Sequence, residues 1–137
     1  HIPKGSEEIM FQEVQRVLRN EGVFYLSTPF DSLICRVLDP AWWLTGHRHY
    51  SRETLEGLAA KNGFAKEECV VKGGIWEILG IWNLYIAKWI FRRRPFLQEY
   101  FNRRSDQEYS KESGYYDICF KFRKGHRTFQ FAAQGSS

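Results

Sequence analysis

The residues best suited to chemistry lie in one short segment, Gly46-His47-Arg48-His49-Tyr50, preceded closely by Trp42 and Trp43. A neutral imidazole near pH 7 can take a proton from a hydroxyl or an amine, so His47 is the candidate general base. The same histidine has a purely structural use, which is to tie the loop to the start of the helix that follows. Trp42 and Trp43 can wall a pocket for an apolar or ring-bearing molecule, or can simply cover the end of a sheet. A second group, Arg92-Arg93-Arg94, closes a long apolar run and offers three permanent cations to phosphate groups. Cys35, Cys69 and Cys119 are odd in number and widely spaced, which favours reduced thiols over a disulfide framework or a zinc site. No metal is expected.

These groups have to be positioned by a chain of 137 residues, enough for one domain with a real core. Twenty basic residues against sixteen acidic ones leave a net charge of only +4, too little for a protein built around nucleic acid. Anionic partners are permitted and not required. The opening His1-Ile2-Pro3-Lys4 carries no signal peptide and no initiating Met, which reads as the start of a fragment in the cytoplasm.

Ile9, Met10, Val14, Val17 and Leu18 recur at helical spacing and predict a helix from Ser6 to about Arg19. Ser6 would cap it, with Glu7 and Glu8 in the first turn and Gly22 in the left-handed conformation beyond its end. Val23 to Thr28 does not alternate, so it reads as a central parallel strand covered on both faces. A short helix over 31–38, stopped at Asp39-Pro40, precedes a helix capped by Ser51 and buried through Leu55, Leu58 and Ala59. Gly63 ends that helix, Phe64 packs back on it, and a strand follows over about 66–72. Gly73-Gly74 breaks the pattern before an apolar helix over 75–91 and a polar one over 97–109. Tyr116, Ile118, Phe120 and Phe122 alternate with polar residues, the pattern of an antiparallel strand near a sheet edge with one wet face.

Residues 5 to 64, taken in order, resemble the C-terminal half of a class I S-adenosylmethionine-dependent methyltransferase of the small-molecule type. The resemblance rests on Glu13-Val14-Gln15-Arg16-Val17-Leu18, on Asn20-Glu21-Gly22, on a strand ending Ser27-Thr28-Pro29, and on His47 with Arg48 and Tyr50. It continues through Ser51-Arg52-Glu53-Thr54-Leu55 to Asn62-Gly63-Phe64, and recurs weakly over 115–124. It implies an α/β fold: the last three strands of a Rossmann-like seven-stranded sheet, the final one antiparallel and reached through a helical insertion. Residues 1–124 would form the partial domain, 75–112 the insertion and 125–137 a flexible tail. The implied function is methyl transfer from S-adenosylmethionine to a small-molecule or lipid-linked acceptor, with this chain supplying the substrate side.

Site residues follow from the same resemblance. Phe30, Trp42, Trp43, His49 and Tyr50 would contact substrate, His47 matches the family histidine, and His1 would sit near the cofactor. The family's Gly-rich strand-to-helix turn, and the acidic residue ending the next strand, have no counterpart here. The chain alone is therefore expected to bind the cofactor poorly. The alternative is a non-catalytic module that uses the aromatic and basic helix 75–94 to grip a membrane surface or a protein. That helix has three readings: a lid or packing element, a peripheral membrane contact through Arg92, Arg93 and Arg94, or a homodimer interface. Its apolar stretch is interrupted by Glu77, Asn83 and Lys88 and does not read as a membrane span.

Overall fold

The computed structural model describes residues 3–46, 48–111 and 113–125. The chain runs α1 (Glu7–Val17), β1 (Val23–Pro29), α2 (Leu33–Leu38), α3 (Pro40–Thr45), α4 (Arg52–Lys61) and β2 (Phe64–Lys72). It continues through α5 (Ile75–Tyr85), a π-helical turn (Ile86–Ile90), α6 (Gln98–Tyr109) and β3 (Asp117–Lys124). The class is α/β. The three strands form one sheet in the order β1-β3-β2, and β3 is antiparallel to both neighbours.

β3 is antiparallel and lies one strand in from the β2 edge, between the other two. Among the described residues β1 is an end strand paired antiparallel to β3, and Tyr25 on it is 72% exposed, which corrects the reading of β1 as a central strand covered on both faces. The non-alternating sequence of β1 misled because Val23, Phe24, Tyr25 and Leu26 are all apolar, although only Phe24 and Leu26 pack against the core. β3 does keep strict alternation: Ile118, Phe120, Phe122 and Lys124 are buried and the residues between them are half-buried.

The main core forms where α1 and α4 lie against the sheet. Phe11, Leu55, Ala59, Phe64, Ile118, Phe120 and Phe122 are its buried members. Phe11 meets Phe24, Phe64 and Phe122 edge-on, with ring centroids 5.8 to 6.3 Å apart, and Phe120 stacks on Phe122 at 4.9 Å. Such pairs add roughly 0.5–1.5 kcal/mol each to the area they bury. The anchor of α1 is thus Phe11, whereas Ile9 and Val17 from the expected stripe face outward. A smaller cluster of Cys35, Ile78 and Tyr116 ties α2 and α5 to the start of β3.

Local signals behaved unevenly. Ser51 accepts a hydrogen bond from the Thr54 amide and caps α4, and Gly63 adopts φ 77 beyond its end, both as their types dictate. Ser6 stands at the N-cap of α1, yet its hydroxyl donates to the Pro3 carbonyl and caps nothing. After α1 the left-handed residue is Glu21, at φ 59, not Gly22. Gly22 is needed for a different reason: a Cβ there would lie 2.6 Å from Leu18 Cγ and 2.7 Å from the Arg19 carbonyl oxygen. Lys124 finishes this corner. Its ammonium donates to the carbonyls of Gln15 and Leu18, both at 2.6 Å, at the C-terminal end of α1 where the helix dipole favours a cation. Asp39-Pro40 ends α2 as expected but also starts α3, since Asp39 Oδ1 accepts from the Ala41 amide at 2.9 Å and proline suits a first helical turn.

Candidate functional site

The carboxyl end of β1 carries the candidate site. Tyr50 lies alongside it through a single parallel bridge to Phe30, in which the Tyr50 amide donates to the Pro29 carbonyl and the Asp31 amide donates to the Tyr50 carbonyl. Residues 48–50 are thereby laid on the outer edge of β1, opposite β3. Below that bridge the outer edge presents the backbone groups of Val23, Tyr25 and Ser27, because Gly22 and Phe30, in the other phase, bond Lys124 in β3 and Tyr116 just before it. Among the described residues no strand pairs with this edge.

A cavity of about 470 Å³ opens between this edge, α1 and α4. Met10, Phe11, Leu26, Pro29 and Leu55 give it an apolar wall; Ser27, Thr28, Glu7, Arg48 and Tyr50 give it a polar rim. Its size falls within the range of small-molecule sites, and so does this mix of apolar wall and few polar groups. Glu7 is the hub of the rim. It accepts from the Tyr50 hydroxyl at 2.8 Å and from the Arg48 guanidinium, whose Cζ stands 5.7 Å from the Tyr50 ring centroid. The Glu7 carboxyl is held below its ordinary range, first by its own backbone amide in the first turn of α1 and then by the Tyr50 hydroxyl. Burial, followed by the hydrogen bond to Glu7, pushes the Tyr50 phenol up to about 12. Tyr50 is therefore a neutral hydrogen-bond donor across the physiological range and a poor base.

A second pair holds the segment in place from behind. His49 Nε2 lies 3.0 Å from Asp39 Oδ2, and both side chains are fully buried. Asp39 thus serves two elements at once, capping α3 and fixing the residue that precedes Tyr50. Nearby, Arg36 makes a two-pronged ion pair with Asp31 and holds that carboxyl low. Cys35 donates to the Tyr115 carbonyl at 3.1 Å, and burial pushes its thiol up, which makes it a structural cysteine rather than a nucleophile. All three cysteines are free.

The residues singled out from sequence are placed as follows. Tyr50 lines the cavity, and Phe30 packs on the main core beside it. His49 is turned away into the buried pair with Asp39. Trp42 and Trp43 lie in α3, their side chains outside the described set, while His1 and His47 lie outside the described residues altogether. Arg92, Arg93 and Arg94 are exposed at the far end of the α5–α6 hairpin and take no part in the cavity. Sequence reasoning missed Glu7, Arg48, Met10, Ser27, Thr28, Leu55 and Asp39 as site residues. Arg48 sat inside the quoted motif and could have been named; the Glu7 contact spans forty-three positions and leaves no local trace. Among the described residues no group of three or more His, Cys, Asp or Glu is placed to hold a metal ion.

No protein-family model matches the chain, and neither does any curated protein.

Proposed function

We propose that this chain is the substrate-side half of a class I S-adenosylmethionine-dependent methyltransferase acting on a small-molecule or lipid-linked acceptor. One observation carries the reading: Ser27, Thr28 and Pro29 at the end of the strand, and Arg48 and Tyr50 of the later motif, all from the stretch whose sequence resembles that family, line one cavity at the carboxyl end of β1. Ligands in open α/β sheets bind beyond the carboxyl ends of strands. The outer edge of β1 below the Tyr50 bridge supports it too, since among the described residues no strand pairs with it and Val23, Tyr25 and Ser27 carry no charge. The outer strand β2, by contrast, carries Lys66, Glu67 and Glu68 and a register shift between Lys66 and Glu68.

The chemistry asked of these residues is modest. The sulfonium of the cofactor is already a good leaving group, so the acceptor mainly needs to be held in line with the methyl carbon. Met10, Leu26, Pro29 and Leu55 would grip an apolar body. The Tyr50 hydroxyl and the Arg48 guanidinium, both organised by Glu7, would orient the polar end. The cofactor would be held by sequence outside this chain, because Gly73-Gly74, between β2 and α5, follows a late strand and has no third glycine in register.

The test is transfer of a tritiated methyl group from S-adenosylmethionine to a panel of small acceptors, using the longest product of the coding sequence. The reading expects turnover whose KM rises on Arg48→Ala with kcat little changed. Absence of transfer to any acceptor, together with absence of cofactor binding, would overturn it.

A further inference from the structure

The tip of the α5–α6 hairpin exposes an apolar surface that the candidate site does not use. Trp89, Ile90, Phe91 and Leu97 are 53%, 70%, 54% and 74% exposed, and Ile86 and Phe96 stand out beside them. The fold holds these side chains outward; they are not left loose. A π-helical turn over Ile86–Ile90 interrupts the α-helical phase, so that Ile86, Trp89 and Ile90 all face away from the body. Asn83 then clamps the returning chain, donating to the Phe96 carbonyl and accepting from the Phe96 amide. Phe91 and Phe96 meet edge-on at 5.5 Å, and Arg92 and Leu97 sit in the left-handed region on either side of the bend.

The charge of the tip is one-sided. Between Glu77 and Glu99 there is no acidic residue, while Lys88, Arg92, Arg93 and Arg94 are all basic and exposed. None of these four cations forms an ion pair among the described residues. No helix among the described residues is long and apolar enough to cross a membrane. None of the residues lining the β1 cavity comes from the hairpin, so a lid over that cavity is not what the tip builds. A second copy fits poorly as well. Two tips meeting about a two-fold axis would bring their arginine triplets together, with no acid in the stretch to offset the repulsion.

We propose that the tip, residues 86–97, docks on the surface of an anionic lipid bilayer. Trp89, Ile90, Phe91, Phe96 and Leu97 enter the headgroup and upper acyl region, and Arg92, Arg93, Arg94 and Lys88 meet the lipid phosphates and carboxylates. Tryptophan at the boundary and arginine reaching back to headgroups are the chemistry of such a contact. The inference stands apart from the methyltransferase reading and would hold for a protein with no enzymatic activity.

Flotation with vesicles of phosphatidylcholine, with and without phosphatidylserine, tests it. The protein should float with the mixed vesicles, less so as salt is raised, and little with the neutral ones. Each basic residue near an anionic surface is worth about fivefold in partitioning, so Arg92→Gln/Arg93→Gln/Arg94→Gln should lose on the order of 100-fold. Trp89→Ala/Leu97→Ala should also float less, while keeping the salt dependence. All five positions are exposed, and an unchanged urea midpoint confirms that the variants fold. Failure of the wild type to float with the mixed vesicles overturns the proposal. Equal flotation of the triple variant does so too. So does a dimer in sedimentation velocity that Trp89→Ala/Leu97→Ala abolishes, since the tip would then belong to a second copy.

Discussion

Replacing Asp39 by alanine should cost far more than its place in a connecting loop suggests. The carboxylate is fully buried and has two partners: the Ala41 amide at 2.9 Å and His49 Nε2 at 3.0 Å. Losing an N-cap costs about 1 kcal/mol, and removing the acceptor from a buried histidine costs about 1–3 kcal/mol more. The sum is about 2–4 kcal/mol, a large share of the roughly 5–15 kcal/mol that holds a domain together. With a urea slope of about 2 kcal/mol per molar, the midpoint should fall by about 1–2 M. Asp39→Asn keeps an oxygen for the Ala41 amide and should lose about half as much. The effect should also reach the cavity, because His49 precedes Tyr50: the phenol of Tyr50 should titrate closer to its ordinary value once the segment relaxes. A midpoint shift for Asp39→Ala below about 0.3 M, or an unmoved Tyr50 titration, would refute the claim that Asp39 organises this segment.

The remaining predictions concern the rim, the corner at α1 and the thiols. Tyr50 has a folded pKa raised to about 12, so its contribution to stability is complete below about pH 10 and is lost as pH rises toward 12. The difference in urea midpoint between wild type and Tyr50→Phe should shrink over that interval; a constant difference would show that the phenol is not perturbed. Glu7 is shifted the other way, so its contribution is present above about pH 4.3 and fades as pH falls through the lower folded value. Glu7→Gln should flatten the acid limb of the stability curve. Lys124→Met removes two partly buried charged hydrogen bonds to the end of α1 and should destabilise by about 1–3 kcal/mol in the same urea assay. Cys35, buried with a raised thiol pKa, should stay unmodified by an aromatic disulfide reagent until denaturant is added.

Much of the fold was legible where the signal is local. Ser51 as a cap, Leu55 and Ala59 as a buried pair, Gly63 as a helix end and the alternation of β3 each depend on residues within a few positions of one another. What was not legible depends on partners distant in the chain. Whether an apolar strand such as Val23–Leu26 is central or terminal is decided by its neighbours, and among the described residues β3 is the strand that pairs with it. Glu21 rather than Gly22 takes the left-handed turn, and Gly22 is required instead by the approach of Leu18 and the Arg19 carbonyl, which the sequence alone does not display. The site was half-read for the same reason. Tyr50 was visible within its motif, but Glu7 looked like a first-turn acid serving a helix dipole, and only the fold brings it to Tyr50. His49 looked like a substrate contact, and nothing near it in sequence shows that Asp39, ten positions earlier, takes it into the interior.

The most direct test of the central proposal is a calorimetric titration of S-adenosylmethionine. It would be run against the 137-residue chain and against any extended protein that the same coding sequence yields. The account predicts no measurable heat from the first and binding at a Kd on the order of 10 μM from the second, within the usual range for enzyme substrates. Absence of binding by the extended protein would contradict the methyltransferase reading, and tight binding by the 137-residue chain alone would contradict the assignment of this chain to the substrate side.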